Sequence, residues 1–156
     1  MRAATRQFIN LSLCLMPRID GPSYQRINIS TYQHSMDPYF EHLNNIAITV
    51  CDADGYVLDM NQHSADVNSH GHKIIGNNLM DCHPEPAKTK LKGLLEHQQL
   101  NAYTIEKTLQ DGSKVKKLIY QTPWWKEDGQ FGGLIEYSIE IPFEMPHYVR
   151  QPKPQQ

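Results

Sequence analysis

The chain has 156 residues, of which 39% are hydrophobic and 21% charged. Length and balance suit one globular domain with short appendages and exclude a disordered chain. A net charge of −2 and a pI near 6.4 leave no basic footprint for nucleic acid, and no run of about 18 apolar residues offers a membrane span. Cys14, Cys51 and Cys82 are too scattered for a disulfide framework or a zinc ribbon, and suit a reducing cytoplasm.

Residues 1–35 carry Arg2, Arg6, Arg18 and Arg26 against Asp20, a local excess of positive charge. An apolar stretch at 8–16 follows two of these Arg, as in a signal peptide, but Asn10 and Ser12 interrupt it. Pro17-Arg18 stands where a cleavage site is expected. The other reading of 1–35 is a loose arm, or an extension upstream of a protein that starts at Met36. The compact domain is expected over 36–143, and the polar, Pro-containing segment 144–156 is expected to be a frayed tail.

Asp37-Pro38 predicts a short helix start, with Tyr39, Phe40 and Leu43 as its apolar side. Residues 46–52, rich in β-branched side chains, predict a strand. Asp54-Gly55 predicts a turn, and 56–60 the returning strand. Residues 61–80 hold Asn, Ser, His and Gly in quick succession and predict helical turns and loops. Asp81-Cys82-His83-Pro84-Glu85-Pro86 reads as the start of a helix running to about Gln98. Ala87, Leu91, Leu94 and Leu95 form its apolar stripe. Three strands are expected after it, at 102–108, 115–122 and 133–141, with Pro123 closing the second and Trp124-Trp125 in an exposed connection. In the last strand Ile135, Tyr137, Ile139 and Ile141 alternate with Glu136, Ser138 and Glu140, so the Ile/Tyr face is expected to be core. This order predicts an α+β fold: a five-stranded antiparallel sheet with helices covering one face.

Several of these features occur together in one family. Ile46 to Asn61 has the form hydrophobic-Asp-x-Asp-Gly-hydrophobic ending in Asn. Ile75-Gly76 precedes the long helix, a second Asp-Gly turn stands at 111–112, and Gly132-Gly133 opens the last strand. In this the chain resembles the PAS sensor domain over about residues 37–141. The resemblance implies a sensory or ligand-binding module for signal transduction, with a small-molecule cavity between sheet and long helix. Haem, flavin or a metabolite are the ligands PAS domains take, and none is singled out here. It also implies a homodimer or a separate signalling protein as the partner. The last strand is followed only by a short tail, so the signal is expected to leave through a partner or dimer face.

By position, the cavity is expected to be lined by Ile48, Val50, Leu79, Leu91, Leu95, Tyr103, Ile119, Tyr120 and Tyr137. Where haem PAS domains carry their ligating His, this chain has Leu91. Where flavin-adduct domains carry Cys, it has Leu79. Both departures count against those two chemistries. His70, His72, Cys82 and His83, with His63 near in sequence, form a candidate metal cluster, because imidazole and thiolate suit Zn or Fe. The alternatives are a solvated His-rich loop and an inert Cys. Trp124-Trp125 is a candidate partner surface, since exposed Trp is enriched at interfaces. It supports the alternative reading of an interaction domain without ligand, working through an exposed Trp and sheet surface. No nucleophile elbow, phosphate loop or His-Glu-x-x-His stands in the sequence, so an enzyme is not expected.

Overall fold

The computed structural model describes residues 36–109 and 111–151; the proposed arm 1–35 and residues 152–156 lie outside them. Nine elements follow one another: α1 (Pro38–Glu41), β1 (Ile46–Asp52), β2 (Val57–Met60), α2 (Gln62–Asn68), α3 (Leu79–Cys82), α4 (Ala87–His97), β3 (Asn101–Thr108), β4 (Lys114–Trp125) and β5 (Phe131–Ile141). The strands form one antiparallel sheet in the order β2-β1-β5-β4-β3. The expected α+β class and five-stranded antiparallel sheet are present.

Local chemistry sets the element ends. The Asp37 carboxylate accepts from Tyr39 N and caps α1. Asp52 accepts from the backbone of Asp54 and Tyr56, and Gly55 takes φ +87°, so the β1–β2 turn closes on its own side chain. Asn61 ends β2 and caps α2 by accepting from Ser64 N. The long helix begins later than the sequence suggested. Asp81 and Cys82 belong to α3, and α4 starts at Ala87, where Glu85 accepts from Thr89 N and Oγ1.

Pro123 does not close β4, which runs on through Trp124 to Trp125. Its neighbour β3 has already ended at Asn101, opposite Gln121, so beyond that point one side of β4 needs no donor and proline is tolerated.

One core cluster joins Leu91, Leu94 and Leu95 of α4 to Cys51 and Leu134 in the sheet. A second joins Val57, Met60, Ala65 and Ile74 around α2. Side chains directly opposite on paired strands share a face, so the register defines both faces of the sheet. The face under the helices carries Ala47, Thr49 and Cys51 of β1 and Leu134, Glu136 and Ser138 of β5. The other carries Ile46, Ile48, Val50, Leu118, Tyr120, Ile135, Tyr137, Ile139 and Ile141. This reverses the expectation for the last strand: its Ile/Tyr set points away from the helices, and its polar set points toward them. Alternation separates the two sets but does not say which one the helices cover.

Candidate functional site

The helix-facing side of the sheet is built in rows. Nearest the β1–β2 turn lie Val57, Cys51, Leu134 and Pro123, an apolar row in which Cys51 and Leu134 pack against α4 and Val57 against the α2 cluster. The next row is Thr49, Glu136, Gln121 and Asn101, polar across four strands. Asn101 Nδ2 donates to Gln121 Oε1 at 2.6 Å, and Gln121 Nε2 donates to Glu136 Oε2 at 2.7 Å. Both amides therefore point their donors toward the Glu136 carboxylate. At the other end of the row Thr49 Oγ1 lies 2.7 Å from Ser64 Oγ on α2. The third row is Ala47, Ser138, Ile119 and Tyr103. The fourth is Glu140, Lys117 and Ile105.

Glu136, Gln121, Asn101, Tyr103 and Lys117 are all half-buried. Their surroundings are electrically marked. Burial, then the negative charge of Glu136, raises the Tyr103 phenol above its ordinary value, so it remains a neutral donor. Burial pushes the Cys51 thiol up to about 11; a hydrogen bond with the Leu134 backbone opposes this, and the charges of Asp52 and Glu136 add to it. Burial, then Lys107, lowers the Lys117 ammonium, against the pull of Glu140. Lys90 of α4 holds its Nζ 4.9 Å from the centre of the Tyr103 ring, a cation–π contact between helix and sheet.

Of the nine expected cavity residues, Leu79, Leu91, Leu95, Tyr103 and Ile119 lie on the helix side. Leu91 and Leu95 are spent in the core, and Leu79 packs against both clusters. Ile48, Val50, Tyr120 and Tyr137 lie on the opposite face, one residue out of step with the helix-facing set. Sequence reasoning missed Glu136, Gln121, Asn101, Thr49 and Lys117. The signal was present as a polar set alternating with Ile and Tyr in β5, and it was assigned to solvent.

The candidate metal cluster does not assemble. His70 and His72 are exposed in the turn after α2, with His70 at φ +53°. Cys82 and His83 lie at the end of α3. There Leu79 O is 2.8 Å from His83 Nδ1, and Cys82 Sγ is 3.7 Å from that same nitrogen. Among the described residues no group of three or more His, Cys, Asp or Glu is placed to hold a metal ion. Leu91 and Leu79, both apolar and packed, offer no axial ligand and no thiol at the two places the resemblance marks for haem and flavin-adduct chemistry.

The two Trp have different environments. Trp124 is half-buried and donates Nε1 to Cys51 O at 3.0 Å. Trp125 is 53% exposed and stands edge-on to Phe131, with ring centres 6.4 Å apart. Phe131, with Met80 and Leu95, lines an open cleft of about 580 Å³ between α4 and the Ala53-Asp54 turn. Lys88, Lys92, Glu85 and Glu96 form part of its rim.

No family model and no curated protein sequence matches the chain. Solved structures do. The PAS domain of BvgS from Bordetella pertussis is 17% identical with a TM-score of 0.50, over 67% of this chain and 82% of that one. A Vibrio cholerae VqmA dimer, in the absence of target DNA, is 16% identical with a TM-score of 0.50 over 67% of this chain. VqmA bound to DPO is similar to the same extent. The chain spans about half the length of these VqmA chains, 50% and 55%. With a five-stranded antiparallel sheet, helices gathered on one face and this structural likeness, residues 38–141 have a PAS-like fold.

Proposed function

We propose that this protein is a PAS-type sensory module that binds a small molecule on the helix-facing side of its sheet. The observation that carries the reading is the row Thr49, Glu136, Gln121 and Asn101. A hydrogen-bonded polar row with a half-buried carboxylate lies beside the helices, where a domain serving only as a scaffold gains more from apolar side chains. Tyr103, half-buried in the next row, supplies the aromatic part of the same surface. VqmA, of like fold, is described bound to DPO, which supports small-molecule sensing as the use of this architecture. Occupancy shifts the packing of α4 on the sheet, and the shift is passed to a second copy or a separate signalling protein in the cytoplasm. The domain acts by binding, without catalytic chemistry.

Native mass spectrometry of the full chain, purified without denaturation, tests the reading. The expected result is a retained small molecule that is lost in Glu136→Ala. An empty protein whose melting temperature is unmoved by a broad metabolite panel refutes it.

A second reading is favoured by Trp125. Its exposed indole, the Phe131 edge and the cleft beside them form an aromatic surface suited to a protein partner or a second copy. It predicts a dimer in analytical ultracentrifugation that Trp125→Ala weakens. A monomer at all concentrations, with or without the substitution, leaves the ligand reading alone.

A further inference from the structure

The sheet has two edges, and the chain treats them differently. β2 holds one edge with four residues, and residues 76–78 cover it. Val57 N donates to Asn77 O at 2.9 Å, Gly76 N donates to Val57 O at 2.8 Å, and Tyr56 bridges to Asn78. β3 holds the other edge with eight residues, and among the described residues it pairs only with β4. Its register runs from Asn101 to Thr108 without the bulge or proline that blunts an edge. Among the described residues no backbone hydrogen bond reaches 101–108 from the outer side.

The hairpin fixes which backbone groups face outward. Leu109 N donates to Ser113 O at 2.8 Å, and this pair continues the register of Thr108 with Lys114. Mutually bonded pairs alternate along an antiparallel ladder, so Tyr103, Ile105 and Lys107 aim N–H and C=O at β4. Ala102, Thr104, Glu106 and Thr108 aim theirs out of the sheet, and each of these residues is exposed.

We infer that β3 pairs antiparallel with β3 of a second copy of this chain, with Ile105 on the two-fold axis, so that the two sheets become one. In this register the outward groups of Ala102 meet those of the partner's Thr108, and those of Thr104 meet those of the partner's Glu106. Every outward group over 102–108 is then satisfied. Half-buried Ile105 meets its own copy across the axis. The charges suit this occupant. In its own chain Lys107 acts on the like charge of Lys117. Across the axis it faces the partner's Tyr103, a ring that lies in the field of Glu136. Lys90 holds that ring from the α4 side. Glu106 faces Lys116 on β4 and the partner's Thr104. An axis on Glu106 sets two carboxylates directly opposite each other, and an axis on Thr104 leaves Thr108 beyond the partner's strand. The inference depends neither on the ligand-binding reading nor on Trp125.

Hydrogen exchange of the full chain at rising concentration, read beside sedimentation, tests it. The amides of Ala102, Thr104, Glu106 and Thr108 are expected to gain protection as the dimer forms, while those of Tyr103, Ile105 and Lys107 are protected throughout. Thr104→Pro removes an outward N–H from each copy and none from the β3–β4 ladder. It is expected to weaken the dimer at least about tenfold with the fold intact. Ala102→Pro repeats the test at a second outward position, and Trp125→Ala is expected to leave this dimer unchanged. If a proline variant fails to fold, the exchange pattern of the unsubstituted chain decides. A monomer at every concentration overturns the inference, as does a dimer whose outward amides exchange freely or one that survives both proline substitutions. Protection of these amides that is independent of concentration also overturns it, because the chain's own residues then cover the edge.

Discussion

Trp124 Nε1 donates to the carbonyl of Cys51 at 3.0 Å, tying the end of β4 to the end of β1 across β5, which lies between them. The contact requires two glycines. A Cβ at Gly132 would lie 2.3 Å from Trp124 Cζ3. One at Gly133, where φ is +142°, would lie 2.0 Å from Cys51 O. The pair of glycines at the start of β5 therefore makes room for an indole and for a neighbouring backbone.

Gly132→Ala is expected to destabilise the fold by about 1–3 kcal/mol, the usual cost of overpacking. Gly133→Ala is expected to cost more, because its clash is with backbone, which cannot swing aside. Urea unfolding measures both. A wild-type midpoint for Gly133→Ala would contradict the account.

Asn61 is fully buried and makes four hydrogen bonds with its side chain. It donates to Phe40 O and Ile46 O and accepts from Ile48 N and Ser64 N. It thus holds α1, β1 and α2 at one point. Asn61→Ala leaves several of these groups unsatisfied and is expected to cost about 3 kcal/mol, with α1 released. Hydrogen exchange at Glu41 and His42 checks the release; unchanged protection there would show that α1 is held by other contacts.

Lys73 Nζ lies 2.7 and 2.8 Å from the two carboxylate oxygens of Glu41 and ties the loop after α2 to α1. Both side chains are mostly shielded, at 29% and 21% exposure. A double-mutant cycle on Lys73→Met and Glu41→Gln is expected to give about 1 kcal/mol of coupling, reduced in molar salt. A coupling indistinguishable from zero at low salt would mean that the pair orders the loop without stabilising it.

The Cys51 thiol is shifted from its ordinary 9.0 to about 11. The neutral thiol is the form the fold prefers, and the unfolded chain ionises first as pH rises. Its contribution is therefore intact below pH 9 and is lost between pH 9 and about 11, amounting to about 2–3 kcal/mol. Replacing Cys51 by Ala is expected to flatten that part of the stability–pH curve. A curve of unchanged slope over this window would argue against the burial of this thiol.

Glu136 raises the Tyr103 phenol in addition to the effect of burial. In Glu136→Gln the phenol is expected to titrate at lower pH than in the wild type, yet still above an ordinary tyrosine, because burial remains. Ultraviolet titration against a Tyr103→Phe reference isolates the change. A phenol that does not move would place the carboxylate too far from Tyr103 to share a ligand with it.

The sequence by itself determined the elements and their order. β-branched runs and the Asp-Gly turn delimit β1 and β2, the turn-rich composition after Met60 marks the short helical segment that follows, and the Leu stripe marks α4, because these signals act within a few residues. Period-two alternation in β5 was equally plain as a pattern. Only the tertiary structure decided which half of it meets the helices, since a one-residue step in register exchanges the faces of a strand at no cost to the pattern. That step moved Ile48, Val50, Tyr120 and Tyr137 to the far face and put Glu136 and Lys117 on the helix-facing side of the sheet. Their meeting with Tyr103 depends on three strands drawn from the second half of the chain and on the β4–β5 register, which no local run of residues encodes.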